Sequence, residues 1–383
     1  MTLPRQVAIT GCGAVTPLGP NAPSLWAGLS AGRRCVRPSA RLANAPVNLA
    51  AEIDFTPSTN PMTWAKAALA EALHDANLPW PFPESSVALG LAPGWSWPER
   101  PGKKTPTPLH VDPGQLGLSG ADLHVWTSFS ACAAGLQLVE EAARRIRLGH
   151  VEVAVVVAFD SRVNQAAVEG YARLGALAQP WAPDPQASCR PFDRHRSGFV
   201  VGEGAAALIL ESEASVATRG ARVRAWVAGA ASTCDTCSPV APELTGQAAE
   251  ACIRLALKQS GLPPSAIGYI NAHGTGTALN DRVEADVLAR VFGPDTFQIP
   301  CGSFKSMIGH LAMACGLVEL VGCLPVLAGG PIPANQNLDH PDAPLRLTGW
   351  GRDPADVSLL LKTSFGFGGM NTAVVLSRDK PET

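Results

Sequence analysis

The sequence predicts an α/β protein built from two similar halves, on three observations. Strand-like and helical runs alternate along the chain. One order of elements (strand, tight loop of small residues, small-residue helix, returning strand) occurs twice. Several strand-like runs are apolar throughout, as strands covered on both faces are.

In chain order, "QVAIT" reads as a first strand, followed by a helix near Ser24–Ser30, a second helix over Thr63–Ala76 and the strand "SVALGLA". The Pro/Gly-rich stretch Gly94–Gly120 reads as a long surface loop or cap. Strand "HVWTSFS" then leads into "SACAAGLQLVEEAARRIRLG", where Cys132, Leu136, Val139, Ala143 and Ile146 fall on one helical face. Glu140, Glu141, Arg144 and Arg145 fall on the other. The unit returns as "VEVAVVVAFDS". Its partner starts at Gln298, "QIPCGSFKSMIGHLAMACGLVELVGCLPVLAGG", and returns as "DVSLLLKTSFGFGG". Such a duplication packs two halves about a pseudo-two-fold axis, with equivalent helix starts meeting at the centre, which would set Cys132 opposite His310.

Bulk properties narrow the function. The 383 residues are 46% hydrophobic and 16% charged, with a formal net charge of -2. That suits a compact protein with a large core. Near-neutrality argues against nucleic acid as the main partner. Apolar runs such as "VAVVVAF" are far short of the roughly 18 residues that span a bilayer, so no membrane role is expected. The N-terminus enters a strand pattern at once, unlike a signal peptide. The ten cysteines are scattered, several inside apolar runs, which points to a reduced, cytoplasmic setting. The pair Cys234 and Cys237 in "STCDTCSP" has no second pair, so no metal site is expected.

Three stretches carry chemistry. Cys132 stands at a helix start, where free N–H groups and the helix dipole favour a thiolate. His273, in "NAHGTGTALNDRVEAD", ends a strand before a glycine-rich turn open to a ligand. His310, in "KSMIGHLAMACG", stands at the start of an apolar helix, five residues after Lys305. That lysine needs a counter-charge, for which Glu319, Asp281 and Glu284 are the candidates.

With these residues in view, the chain resembles the elongating β-ketoacyl-acyl-carrier-protein synthases of the thiolase superfamily, the type II fatty acid and polyketide class. Five blocks in family order carry the resemblance: "SACAAG", "RPFDRHRSGFVVGEGAAALIL", "NAHGTGTALND", "KSMIGHLAMACGLVEL" and "TSFGFGGMN". The opening "VAITGCGAVTPLG" is also similar.

The resemblance implies a thiolase-like fold, two duplicated α/β halves forming a five-layered αβαβα core, with residues 1–211 carrying the cysteine and 212–383 the two histidines. It implies decarboxylative condensation of a malonyl group, on an acyl carrier protein, with an acyl group held on Cys132. His273 and His310 would stabilise the enolate, and Lys305, tied to Glu319, would orient that side of the site. The backbone N–H groups of Cys132 and Phe367 would form the oxyanion hole. Phe365 and Phe367 would gate the acyl pocket, and Thr275 and Thr277 would bind the phosphopantetheine arm. No permanently bound cofactor is implied.

Two departures stand out. The basic cluster that the family carries ahead of the second helix is reduced to Lys66 in "DFTPSTNPMTWAK", and the segment that usually crosses the dimer and lines the distal pocket is replaced by Gly94–Gly120. Both suit a specialised synthase of polyketide or polyene metabolism, working as a homodimer or as a heterodimer with a chain-length-factor-like subunit. The alternative of a different class is that this chain is itself such a non-elongating partner, but those subunits lose the nucleophile and Cys132 is present.

A nicotinamide-dependent oxidoreductase, suggested by "ITGCGAVT", fails because Pro17 stands where the dinucleotide-binding helix should run. A degradative thiolase would need a second cysteine where this chain has "SFGFGGMN". Chalcone-synthase-like enzymes would place an asparagine at His310.

Overall fold

The computed structural model describes residues 5–56, 58–80, 87–97, 105–118, 123–349 and 356–381. Among the described residues its main sheet has thirteen strands and contains two five-stranded patterns joined edge to edge, with Arg346–Leu347 added beyond Pro300–Gly302 and the pair Val36–Pro38 and Leu49–Ala51 attached to Val201–Ser212. In the first half the spatial order is Val7–Val15, Val201–Ser212, Val153–Ser161, Val87–Pro93 and Leu123–Thr127. In the second it is Ala225–Cys234, Met370–Ser377, Leu359–Gly366, Tyr269–Asn271 and Pro300–Gly302. Counted along the chain, both orders are first, fifth, fourth, second, third. Both begin with two antiparallel pairings and end with two parallel ones. The same topology built twice is what the repeated element order implied. The halves join where Ala8 pairs with Trp226 and Ile9 with Ala225.

Helices complete five layers. Pro61–Asp75 covers the outer face of the first half, and Gln247–Ser260 that of the second, with Ala278–Phe292 packed beside it. Between the halves run Ala134–Arg147 and Cys315–Leu327, each touching strands of both. Their compositions follow from position. Cys315–Leu327 is apolar on every face except for Glu319, and nearly every residue is buried. Ala134–Arg147 buries Leu136, Leu138, Val139, Ala142, Ala143 and Ile146, while its last turn carries Arg144, Arg145 and Arg147.

The two central helices enter in the same way. Each follows a 3-10 turn, Ala131–Ala133 or Ala312–Ala314, whose first residue is an alanine with positive φ, +46° at Ala131 and +47° at Ala312. Non-glycine residues occupy that region only when the surroundings hold them there. Four residues beyond each alanine is a glycine, and the two glycines meet at the helix crossing. A Cβ at Gly135 would stand 2.9 Å from the Leu317 nitrogen and 3.0 Å from the Met313 carbonyl oxygen. A Cβ at Gly316 would stand 2.9 Å from both Leu136 Cγ and Ser364 Oγ.

This alignment corrects two expectations. Cys132 lies in the 3-10 turn before its helix, and its counterpart in the repeat is Met313. His310 lies two residues before Ala312, in the link between the short helix Lys305–Ile308 and the second central helix, and its counterpart is Phe129.

Elsewhere the elements fall close to expectation. The two early helices start sooner than their apolar spacing suggested, at Ala22 and Pro61, because Asn21 and Asn60 cap them. The Gly94–Gly120 stretch is more than a surface loop. Trp95–Ser96 pairs with Thr107–Pro108, and Val111, Leu116 and Leu118 are buried in the first half's core. Its residues 98–104 and 119–120 lie outside the described residues. No helix among the described residues is long and apolar enough to cross a membrane.

The close helix crossing makes a direct prediction. Gly135→Val and Gly316→Val should each lower unfolding free energy by about 1–3 kcal/mol, the usual cost of forcing bulk into a packed interior. Chemical denaturation measures this, and an unchanged midpoint in either variant would refute the backbone-to-backbone approach.

Candidate active site

Cys132, His273 and His310 line one cavity of about 360 Å³, together with Phe365, Phe367, Thr275 and Thr277. Three separate chain segments thus bring the expected chemistry to one place. Cys132 arrives on the strained turn at the N-terminus of the first central helix, and its carbonyl accepts a bond from the Cys315 thiol at 3.3 Å. The turn after Leu359–Gly366 presses against it: a Cβ at Gly366 would stand 3.1 Å from the Cys132 nitrogen. A side chain there would also stand 2.8 Å from the Ser130 carbonyl oxygen, so a glycine lets this turn close on the cysteine.

His310 is held by its own backbone. Its N–H donates to the Val200 carbonyl at 2.7 Å and its carbonyl accepts from Gly202 N–H at 2.9 Å, which fastens it to the first half. The preceding Gly309 has φ +71° and abuts Ala51 and the Val200 and Val201 carbonyls, so a side chain there would be strained and crowded. The His310 Nδ1 accepts the Ala312 N–H at 3.0 Å. In the neutral ring the proton therefore sits on Nε2, leaving that nitrogen a donor.

His273 is set by its main chain: its N–H donates to Glu284 Oε1 at 2.8 Å and its carbonyl accepts from Lys305 Nζ at 2.6 Å. Its Nδ1 has no hydrogen-bond partner among the described residues. The two imidazoles stand edge to face, 5.5 Å between centroids.

Beneath His273 lies a fully buried triad. Glu319 holds Lys305 on Oε1 and Lys362 on Oε2, each at 2.6 Å, and all three side chains have no exposure. Burial pulls the Lys305 ammonium down, but Glu319 outweighs it and leaves the pKa raised, so Lys305 stays charged. The other two candidate counter-charges do different work. Glu284 accepts the N–H groups of His273 and Gly274, both at 2.8 Å, and the Thr363 hydroxyl at 2.8 Å. Asp281 accepts the N–H groups of Phe192 at 2.8 Å and Gly276 at 3.1 Å, and burial pushes its carboxyl up to about 6. Both carboxylates shape the histidine loop and leave Lys305 to Glu319.

The remaining expected residues are placed as follows. The Thr275 and Thr277 hydroxyls are 3.0 Å apart, and Thr277 caps helix Ala278–Phe292. Phe365 stacks edge-on to His273 at 6.1 Å while also packing on the second half's core, and Phe367 lies 6.3 Å from Tyr171.

One electrostatic expectation reverses. Burial pushes the Cys132 thiol up to about 11, with Arg162 and then Lys305 pulling it down and Asp160 and Glu319 pushing it up. The resting thiol is neutral, because desolvation outweighs the favourable helix start. Burial, followed by Lys305, likewise holds both histidines well below the ordinary value of 6.5, so both are neutral.

Sequence reasoning missed four residues at the site: Lys362, and the group Asp160, Arg162 and Tyr171. The charged residues among them carried a signal. Lys362 is the sole charge in "SLLLKTSF", and Asp160 ends a run of seven apolar residues with Arg162 two positions on; Tyr171 alone carried no such signal. An ionised side chain inside or at the end of a buried strand requires a partner.

The chain matches the family descriptions "Beta-ketoacyl synthase, N-terminal domain" over residues 4–75 and 115–215, and "Beta-ketoacyl synthase, C-terminal domain" over 224–339. It is 30% identical to 3-oxoacyl-[acyl-carrier-protein] synthase 2 of Synechocystis sp., covering 98% of each chain. Among solved structures it is similar to a type II PKS ketosynthase in complex with its acyl-carrier protein and bound to the hexaketide, with TM-score 0.86 and 27% identity over 98% of this chain and 99% of that one. It is also similar to the ishigamide ketosynthase/chain length factor, with TM-score 0.85 and 29% identity over 98% and 99%. The fold is thus that of the thiolase-like condensing enzymes, and the chain belongs to the β-ketoacyl synthase family.

Neutral buried histidines make stability pH-dependent. In the unfolded chain both titrate near 6.5. Below that pH the unfolded state binds protons that the native state refuses, so stability present above about pH 6.5 is lost as pH falls towards the folded values. Each histidine should add up to about 1.4 kcal/mol per pH unit to the slope. Denaturant unfolding from pH 7 to 5 should show wild type losing more stability than His310→Asn, by about one histidine's share. Equal slopes would mean His310 is charged in the fold.

Proposed function

We propose that this chain is a β-ketoacyl-acyl-carrier-protein synthase that joins a malonyl unit to an acyl group held on Cys132. The observation that carries this reading is the meeting of Cys132, His273 and a His310 whose Nε2 is fixed as a donor, all on one cavity.

In the first stage Cys132 Sγ attacks the thioester of a carrier-bound acyl group. Because the thiol is neutral at rest, its proton leaves as the C–S bond forms and ends on the departing carrier thiol. The oxyanion is held by the N–H groups of Cys132 and Phe367, a role supported by the approach of Gly366 to Cys132. In the second stage the malonyl C–C bond breaks and CO2 leaves with the electron pair going into an enolate. Neutral His273 and His310 donate to that enolate oxygen. A charged histidine would form a tighter bond but would compete by protonating the carbanion. The enolate carbon then attacks the acyl carbon, and collapse of the tetrahedral adduct expels the Cys132 thiolate.

Lys305 and Glu319 act by positioning, through the His273 carbonyl. Thr275 and Thr277 bind the phosphopantetheine arm, and Phe365 and Phe367 flank the acyl entrance. The halves 1–211 and 212–383 each supply part of this machinery. The reaction needs no resident cofactor, since the carrier's phosphopantetheine delivers both substrates. A cytoplasmic setting belongs to the same proposal, supported by ten free cysteines. Polyketide or polyene chains are favoured over ordinary fatty acids, in keeping with the altered segment around Gly94–Gly120 and the likeness to polyketide ketosynthases.

Intact-mass analysis tests the first stage: a carrier-bound acyl thioester should label wild type and not Cys132→Ala. Equal labelling would sink the assignment. Single-turnover assays test the second, since His273→Ala or His310→Ala should slow malonyl decarboxylation by at least about a hundredfold, the scale of losing an oxyanion donor. Cysteine acylation should suffer less, and an equal loss of both stages would assign the histidines a structural role.

The protein is proposed to act as a dimer, either with itself or with a chain-length-factor-like subunit. Supporting this, Leu123–Thr127 ends the sheet with Val125 and the nearby Phe129 each 45% exposed. Sizing of the purified protein, alone and with a candidate partner, should give a dimer, and an active monomer would contradict it.

A further inference from the structure

Beside Cys132 the cavity wall carries two hydrogen-bond donors that the protein leaves free. Arg162 follows the end of strand Val153–Ser161. Its Nε and Nη2 both engage Asp160 Oδ2, at 2.9 and 2.7 Å, while Nη1 donates to no acceptor among the described residues. The guanidinium is fixed from behind by Trp97, whose ring centroid lies 4.9 Å away. Trp97 comes from the Pro/Gly-rich segment, and that segment also closes on Asp160, where a Cβ at Gly94 would stand 2.3 Å from Oδ1. Tyr171 lines the same wall, wedged edge-on against Phe199 at 5.1 Å, and its hydroxyl has no hydrogen-bond partner among the described residues.

We infer that Arg162 and Tyr171 form a specificity element that recognises a ketone oxygen near the thioester end of the acyl chain. This rests on the ketosynthase reading above and deepens it, separating unreduced keto chains from saturated and polyene ones. A hydrocarbon chain would leave both donors buried without acceptors, which costs more than the bond itself is worth. Charge decides between kinds of oxygen. Asp160 already balances Arg162, so the wall is electrically neutral and suits a carbonyl better than a carboxylate. The ordered Asp160 and Trp97 contacts hold the fork in place before substrate arrives.

The step concerned is thioester exchange. The acyl carbon forms its bond to Cys132 Sγ as its bond to the carrier sulfur breaks, and the cysteine proton ends on the released thiol. The test uses acetoacetyl, butanoyl and 2-butenoyl pantetheine thioesters with the full-length protein, reading the Cys132 adduct by intact mass over time. Intrinsic reactivity differs among the three esters but is common to all variants, so the ratio of rates is compared between proteins.

The acetoacetyl-to-butanoyl ratio should fall about five- to tenfold in Tyr171→Phe and in Arg162→Lys, the latter keeping a buried cation for Asp160. An unchanged ratio in both variants overturns the inference. So does an equal slowing of all three esters, which would make Arg162 an activator of the thiol. A ratio favouring 2-butenoyl in wild type and lost in the variants overturns it in favour of a polyene pocket. Absence of a Cys132 adduct from every ester would instead strike the ketosynthase reading itself.

Discussion

The buried triad of Lys305, Glu319 and Lys362 is the constraint on which the site depends. Glu319 comes from the second central helix, Lys362 from the strand Leu359–Gly366, and Lys305 from the short helix that precedes His310. The lysines also donate to backbone carbonyls, Lys305 to His273 and Lys362 to Ala272 and Thr363. One carboxylate therefore locks together a helix, a strand and the loop bearing His273. Removing one member of a buried ion set is far more costly than its net contribution suggests, because the survivors stay charged in a low dielectric. Rigidity is what such a network supplies, and the proposed role of the two histidines as enolate donors would need it.

The duplication explains why the site is central but not symmetric. Backbone geometry repeats closely: two positive-φ alanines, two 3-10 turns and two glycines at one crossing. Side chains at matching places do not repeat. Met313 stands in the second half where Cys132 stands in the first, Phe129 answers His310, and Leu138 answers Glu319. One half thus carries Cys132 and the other the two histidines, and all three line one cavity.

Burial sets the protonation states, and it overrides the local signal at Cys132. A helix N-terminus stabilises a thiolate by a fraction of a charge, whereas removing the sulfur from water penalises the full charge. The same desolvation keeps both histidines neutral although both line a cavity of about 360 Å³. Water expelled by a bound acyl chain would sharpen this effect, since every fixed dipole acts more strongly in a drier site.

Much of this was legible in the residue order. The alternation of strand and helix, the repeated unit, the amphipathic helix after Cys132 and the three chemistry-bearing stretches are local patterns, and local patterns survive in a string of letters. What the string could not decide was pairing at long range. Three carboxylates stood near Lys305 in suitable motifs; the residues alone left the choice open and the family resemblance pointed to Glu319, while packing pairs Glu319 with Lys305 and turns Asp281 and Glu284 to the backbone. Lys362 and Arg162 were visible as charges against apolar strands, and Asp160, the partner of Arg162, lies two residues away; but Glu319 lies 43 positions from Lys362, and Trp97 reaches Arg162 from a stretch that reads as a loop. Protonation followed the same division, because the sequence names the titratable group while the depth at which the fold buries it determines its charge.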